Sequence, residues 1–475
     1  MKAITQHYID GAFVESHGRQ PMQSINPTNQ RVLGSVLLGD EEDARRAIGA
    51  ARRAFHTYSR TTKKDRSELL TRMHKALSMR IGDLTDAMVT EYGGVSRFAS
   101  LIVQTGIEAF REAEKALRGL ELERTRDKTT VLLEPIGVAG LITAWNANAL
   151  FICLKTASAL AAGCTVVVKP SELSALQTQV LLECLHEAGV PEGVFNLVNG
   201  LGDTVGAELV RNPDVRKISF TGSAAIGERI MRDGAASMKR VTLELGGKSP
   251  NILLDDADFS KAVPMALGVA FLNSGQACAA GTRLLVPRSR LNEVKQIIGE
   301  AIRAFAVGDP ADPKTLVGPM VSKRQYERVQ AYIQRGLEEG AELLVGGEGH
   351  PVGLEGGNFV KPTVFVNVSN DMVIAQEEIF GPVLAVIAYE TVDEAVRIAN
   401  DSKYGLHAFV SGTDLRAARN VARQLLVGRV VLNGMRDDPQ APWGGFKHSG
   451  VGREYGAFGI GAFLEPRAIL EATYD

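Results

Sequence analysis

Cys278 lies in FLNSGQACAAGTR (271–283), and Glu244 lies 34 positions upstream in TLELGGKSP (242–250). A single thiol among small neighbours, paired with a carboxylate at a Gly-Gly turn, suits covalent catalysis at a carbonyl. The thiolate is intrinsically nucleophilic and needs little activation. A carboxylate that is not itself the nucleophile is free to take a proton from water. The bland alternative for Cys278 is an inert buried thiol, the usual fate of a free cysteine. Against it stand the polar, turn-rich approach at 273–276 and the small residues Ala277, Ala279 and Ala280, which leave room for a substrate. Glu244 could serve merely as a strand-end cap. A glutamate entering an apolar segment must, however, be satisfied or neutralised, which raises its pKa and suits a general base. Asn146, in TAWNANA (143–149), follows a predicted core strand. It is either a turn former or an amide donor toward a developing oxyanion, working with the backbone N–H of Cys278.

Two segments point to a cofactor. FTGSAAIG (220–227) reads as strand, Gly turn and helix start, so Gly222 and Ser223 can offer N–H groups to a diphosphate. VVVKPSE (166–172) sets Lys169 and Glu172 just past a strand, where sugar hydroxyls could be gripped. NGLGDTVG (199–206) has the wrong spacing for a dinucleotide fingerprint and is set aside.

The elements that must hold these residues follow from periodicity. Asp40 reads as an N-cap, with Ala44, Ala47, Ile48, Ala51 and Phe55 at helical spacing. Helices are predicted over 64–79 and 85–118, then an extended, exposed arm over 121–135 that needs a partner strand. Short apolar runs at 140–145, 165–170, 194–199 and 217–222 alternate with helices such as 174–188 and 224–236, which implies a doubly wound parallel sheet. Ligands in such sheets bind beyond the strands' carboxyl ends. After 251–258 the pattern restarts. Helices near 259–273, 291–305, 323–339, 392–400 and 415–426 alternate with strands near 283–287, 383–388, 407–411 and 430–433, giving a second α/β domain. The tail at 462–475 is strand-like and suited to pair with the 121–135 arm.

Composition excludes little but sets bounds. A chain of 475 residues exceeds a single core. Its net charge of −2 gives no reason to expect a nucleic-acid partner. The four cysteines (Cys153, Cys164, Cys184, Cys278) form no CxxC or Cys/His cluster, so no metal is expected, and their scarcity fits a reducing, cytoplasmic setting. From Ile136 to Val168 the only charge is Lys155. Three glycines and two asparagines break this run into strand, turn, helix and strand, so it is not expected to cross a membrane. No signal peptide is read at the N-terminus.

In order, over essentially its whole length, the chain carries WN (145–146), KPSE (169–172), FTGS (220–223), ELGGKSP (244–250), GQAC (275–278), EEIFGPV (377–383) and GGFKHSGVGRE (444–454). It thereby resembles the aldehyde dehydrogenase superfamily, in its NAD(P)-dependent, hydrolytic, non-acylating branch. The resemblance implies an NAD-binding domain (1–118 and 136–246), a catalytic domain (247–442) and an oligomerisation arm and tail (119–135 and 455–475, with Glu465 near the interface), in a homodimer or homotetramer. It implies Cys278 as nucleophile, Glu244 as the base for the deacylating water, Asn146 as oxyanion donor and Lys155 as active-site support. For the cofactor it implies Lys169, Ser171 and Glu172 around the adenosine ribose, and Gly222 and Ser223 at the pyrophosphate. Trp145, Leu245, Gly246, Glu378 and Phe380 would surround the nicotinamide riboside. An acidic group at Glu172 would repel a 2′-phosphate, favouring NAD, with NADP the second candidate.

One family pattern is broken. The usual Pro-Trp-Asn-Phe-Pro becomes Ala144-Trp145-Asn146-Ala147-Asn148, so an aromatic that normally narrows the substrate tunnel is missing. With Ala277 and Ala279 beside the thiol, a wider tunnel is expected, lined also by Phe151 and walled by Trp443, and suited to a bulky, aromatic or semialdehyde substrate. Arg436 falls in the segment lining the tunnel mouth. It either anchors a substrate carboxylate or pairs with Asp437 or Asp438 on the surface. The alternatives are a CoA-acylating semialdehyde dehydrogenase, an acyl-phosphate reductase, or a silent binding protein on the same fold. Glu244 argues against the first two, and the retained Cys278, Glu244 and Asn146 argue against the third.

Overall fold

The computed structural model describes residues 2–472, so positions 473–475 of the predicted tail strand lie outside the described residues. Five parallel strands, Val138–Ile142, Thr165–Lys169, Phe195–Leu197, Val215–Thr221 and Arg240–Glu244, form the centre of an eight-stranded sheet. Successive side chains on these strands point to opposite faces. Ala139, Leu141, Val166 and Val168 accordingly enter one apolar core, and Val138, Ile142 and Val167 the other. Helices cover both faces, which is why the strands read as continuous apolar runs.

The sheet is not purely parallel, as the sequence pattern implied. Antiparallel strands close both edges: Gln6–Ile9 and Ala12–Glu15 beyond Phe195–Leu197, and Gly450–Val451 beside Arg240–Glu244. The N-terminal hairpin is too short and too mixed in polarity to show period-2 alternation. The chain runs outward in both directions from Val138–Ile142, so the order reverses between that strand and Val215–Thr221. A crevice at such a switch point lies beyond the strands' carboxyl ends, and the loops at 143–147, 169–172 and 222–223 all open there.

The charge-poor run resolves as strand, loop, the helix Asn148–Ala162 and strand, with Gly163 in the left-handed conformation (φ 92°) ending the helix. No described helix is long and apolar enough to cross a membrane. The predicted 85–118 helix is interrupted. Ile81–Ala87 passes into a π-turn, Met88–Tyr92, stops at left-handed Gly93 (φ 81°), and restarts as Ser96–Gly119. A Cβ at Gly93 would lie 2.7 Å from Pro319 Cγ, so close packing as well as φ demands glycine there.

The second sheet has seven strands in the order Glu342–Val345, Thr363–Val366, Val383–Tyr389, Arg283–Pro287, Pro250–Leu253, His407–Ser411, Arg429–Leu432. All pairs are parallel except the first. The arm is a hairpin, Glu123–Arg126 and Thr129–Pro135, turning at left-handed Asp127 (φ 55°), and Leu464–Leu470 pairs antiparallel along its second strand.

Candidate active site

Glu244 is the last residue of its strand and is buried with neither carboxylate oxygen in a hydrogen bond. Burial raises its pKa well above the ordinary carboxylate value, and the Glu454 carboxylate adds to this. Lys155 and Arg453 oppose the shift, as does the nearby Trp443 indole, which makes no well-formed hydrogen bond to the carboxylate. Lys155, inside the apolar helix, donates to Ser219 Oγ at 2.9 Å and pairs with Glu454 Oε1 at 2.5 Å. Removing either member of such a pair strands a buried charge, at a cost of about 3–5 kcal/mol.

The two glycines after Glu244 allow close approach. A Cβ at Gly246 would sit 2.1 Å from Glu378 Oε2, and one at Gly247 would sit 2.8 Å from the Cys278 carbonyl. Gly247 N–H donates to Glu378 Oε1 at 3.1 Å. Burial raises Glu378 to about 7.

The Cys278 loop is held in an unusual shape. After the helix Phe259–Ala270, Asn273 (φ 53°), Ser274 (φ 58°) and Gly275 (φ 73°) are all left-handed, conformations kept only where the surroundings over-determine them. Gln276 does much of this, donating to Tyr92 Oη (3.2 Å) and the Pro319 carbonyl (3.3 Å) while accepting from Val321 N–H (3.0 Å). Asn146 Nδ2 donates to the Gln276 carbonyl at 3.0 Å, tying the oxyanion candidate to the thiol's loop.

Cys278 itself departs from expectation. The residue is only partly buried, yet atoms enclose its thiol on nearly every side. Burial, then the carboxylates of Glu378 and Glu244, push its pKa up to about 12. The ready thiolate expected from the local sequence is therefore a thiol here, because it is buried and its long-range neighbours are acidic.

Three adjoining cavities meet around these groups. A cleft of about 590 Å³ is lined by Lys169, Ser171, Glu172, Gly222 and Arg229. It shares Trp145 and Gly222 with a chamber of about 240 Å³ that holds Ser223, Leu245, Gly246, Glu378, Phe380 and Cys278. That chamber shares Asn146, Phe151, Glu244 and Cys278 with a mostly apolar tunnel of about 400 Å³, lined also by Ala147, Ala277, Ala279, Trp443 and Arg436. Phe380 (φ 63°) stands edge-on to Trp145 at 5.3 Å. Every candidate except Lys155 thus lines one of the three cavities, and Lys155 lies behind Glu454, which lines the tunnel.

Several details correct the sequence reading. Gly222 N–H is taken by the Glu244 carbonyl at 3.1 Å, leaving Ser223 and the first turn of Ala224–Gly234 to meet an anion. Lys169 and Glu172 pair with each other at 3.2 Å at the cleft wall. The discarded 199–206 segment does line the cleft through Gly202, Asp203 and Gly206, although as a π-turn rather than a phosphate-binding fingerprint. Arg436 makes no ion pair with either neighbouring aspartate: Asp437 pairs with Arg429, and Asp438 accepts from Gln440 N–H. Gln325, Arg328 and His407 also line the site and carried no local motif to mark them.

A sequence model of the aldehyde dehydrogenase family matches residues 13–469. The chain belongs to the aldehyde dehydrogenase family. A curated relative, the 3-succinoylsemialdehyde-pyridine dehydrogenase of a Pseudomonas species, is 46% identical over 472 residues, 99% of each chain. Among solved aldehyde dehydrogenases, a mutant of aldehyde dehydrogenase C from Pseudomonas syringae, complexed with NAD+ and octanal, superposes with a TM-score of 0.97 at 45% identity, covering 98% of this chain and 96% of that one. The Mycobacterium tuberculosis aldehyde dehydrogenase complexed with NAD+ gives 0.96 at 37% identity, with 99% of both chains covered. The chain is accordingly an oxidoreductase with the Rossmann-like architecture of that family.

Proposed function

We propose that this aldehyde dehydrogenase oxidises a bulky, largely apolar aldehyde to its carboxylic acid, with NAD as hydride acceptor. The observation that carries this reading is the position of Cys278, where the cofactor-side chamber and the apolar tunnel meet, with Glu244 lining both.

The residues present fit NAD. The Gly246 position leaves room for Glu378 where any Cβ would intrude, and Glu172 sits at the cleft wall where it would oppose a 2′-phosphate. Lys169 and Glu172 would hold the adenosine ribose, Ser223 with the following helix terminus the diphosphate, and Glu378 with Phe380 and Trp145 the nicotinamide riboside. Bound NAD supplies the acceptor for the hydride that leaves the substrate carbon.

Cys278 Sγ adds to the aldehyde carbon, and the oxyanion of the thiohemiacetal is met by Asn146 and the Cys278 N–H. Glu244, raised in pKa and without a partner, is the base available to the thiol and then to the water that opens the thioester. The Glu244 carboxylate is one of the groups that raise the Cys278 pKa, because a thiolate beside a carboxylate is disfavoured. Supporting a bulky substrate are the tunnel's apolar lining and two relatives, one complexed with octanal and the other named for a pyridine semialdehyde. Arg436, free of its neighbouring aspartates at the tunnel mouth, keeps a carboxylated aldehyde as the second reading.

Glu244→Gln is expected to slow the first-turnover release of NADH and to lower steady-state turnover about 10²-fold or more, with no acceleration by CoA. A rapid-mixing absorbance trace measures both. Full steady-state turnover in the variant, or turnover that needs CoA, would overturn the reading.

A further inference from the structure

His407 occupies the tunnel wall by strand geometry. His407 pairs in register with Arg429, and Phe409 with Val431, across two parallel strands. All four side chains face the tunnel, whereas Ala408 and Val410, on the opposite face, enter the apolar core. His407 is 5% exposed and neither ring nitrogen has a hydrogen-bond partner. It packs 4.6 Å from the Phe409 ring and 5.8 Å from Trp443, ring centre to ring centre.

Such a ring is out of place as plain filler, since buried polar atoms are nearly always paired. Burial and then the Arg429 charge hold it neutral, at about 3, so it carries one N–H donor and one acceptor nitrogen. Arg429 does not need the substrate. It pairs with Asp437 and donates to the carbonyls of Asp438 (3.1 Å) and Ala441 (3.0 Å), so its own charge is already engaged beside the ring. The tunnel borders the ring on one side, and the imidazole's second torsion is soft, so a group on the substrate can meet a nitrogen after a modest rotation.

Building on the proposed aldehyde oxidation, we infer that His407 is a specificity-determining residue. It selects aldehydes that carry a neutral oxygen substituent, a hydroxyl or a ketone, at a distance from the reacting carbon. A substrate lacking that oxygen leaves both nitrogens unpaired, and this asymmetry is what gives polar sites their discrimination.

The test compares benzaldehyde with its 3- and 4-hydroxy and 3- and 4-acetyl derivatives, using the intact enzyme with NAD. In the wild type, kcat/KM for at least one oxygenated isomer is expected to exceed that for benzaldehyde by about tenfold, mainly through KM, because the contact lies away from the reacting carbon. His407→Phe is expected to lower that ratio to near one, and His407→Gln, which keeps a donor and an acceptor, to recover part of it. The hydroxy and acetyl series distinguish the two oxygen types. A wild-type ratio near one for every isomer, or an unchanged ratio in His407→Phe and in His407→Leu, overturns the inference. Wild-type NADH formation with octanal is measured alongside: its absence would sink the aldehyde oxidation itself, whereas its presence with flat ratios sinks only the role of His407.

Discussion

Cys278 shows what the sequence carries at the scale of a residue and what it does not. Its identity, and that of Glu244, could be read from residue types and small neighbours. Their protonation could not, because it is set first by burial and then by Glu378 and Glu454, which are remote along the chain. The sign is the same for both groups: a raised pKa favours the neutral form, so the reactive thiolate and the base form both grow as pH rises. With the thiol at about 12, each unit by which the pH rises toward that value multiplies the thiolate roughly tenfold. Iodoacetamide labelling of the cofactor-free enzyme at Cys278, followed by peptide mass, is therefore expected to accelerate about tenfold per unit between pH 7 and 9. A rate flat across that range would show a thiol already ionised at neutral pH. Cys153, Cys164 and Cys184 are buried and should label only on unfolding.

At the scale of elements, two helices decide the width of the tunnel. Phe98, Leu101, Ile102 and Thr105 lie at i, i+3, i+4 and i+7 on Ser96–Gly119, and Ala147, Leu150, Phe151 and Leu154 repeat that spacing at the start of Asn148–Ala162. Each set is one helical face. The periodicity was legible as helix, but an apolar stripe facing a substrate looks the same as one facing a core. Only the placement of both stripes beside Cys278 separates the two. The π-turn and the break at Gly93, which bring Tyr92 to the Cys278 loop, left no periodic signal either. Ala147 sits at the end of its stripe nearest Asn146, where a larger side chain would fill tunnel rather than core. Ala147→Phe is expected to lower kcat/KM for bulky aryl aldehydes about tenfold or more relative to acetaldehyde, as read from a substrate panel. An unchanged ranking would mean that the tunnel is not limited there.

For the molecule as a whole, the arm is the element that a single chain leaves unfinished. Glu123–Arg126, Thr129–Pro135 and Leu464–Leu470 make a three-stranded sheet whose residues are almost all half-buried or exposed. Ile469 is 48% exposed and Leu470 73%. The sheet's base is secured to the body by Ile136 N–H donating to the Phe463 carbonyl at 3.1 Å and by the Arg240–Glu465 pair, but its far end has no apolar layer against it. The composition shift at 121–135 announced an extended segment needing a partner. The strand-like tail suggested that partner, and Leu464–Leu470 does supply one edge in the same chain; the exact pairing, with Arg467 on Glu134 at 2.8 Å, comes from the register. An edge strand with apolar side chains and free backbone groups is a template for another chain. Light scattering on gel-filtered protein is expected to give the mass of two or four chains. The double variant Ile469→Asp and Leu470→Asp puts charge only where a single chain already meets water, so it should fold and shift the mass toward one chain. A wild-type mass of one chain, or an assembly indifferent to both charges, would place the association elsewhere.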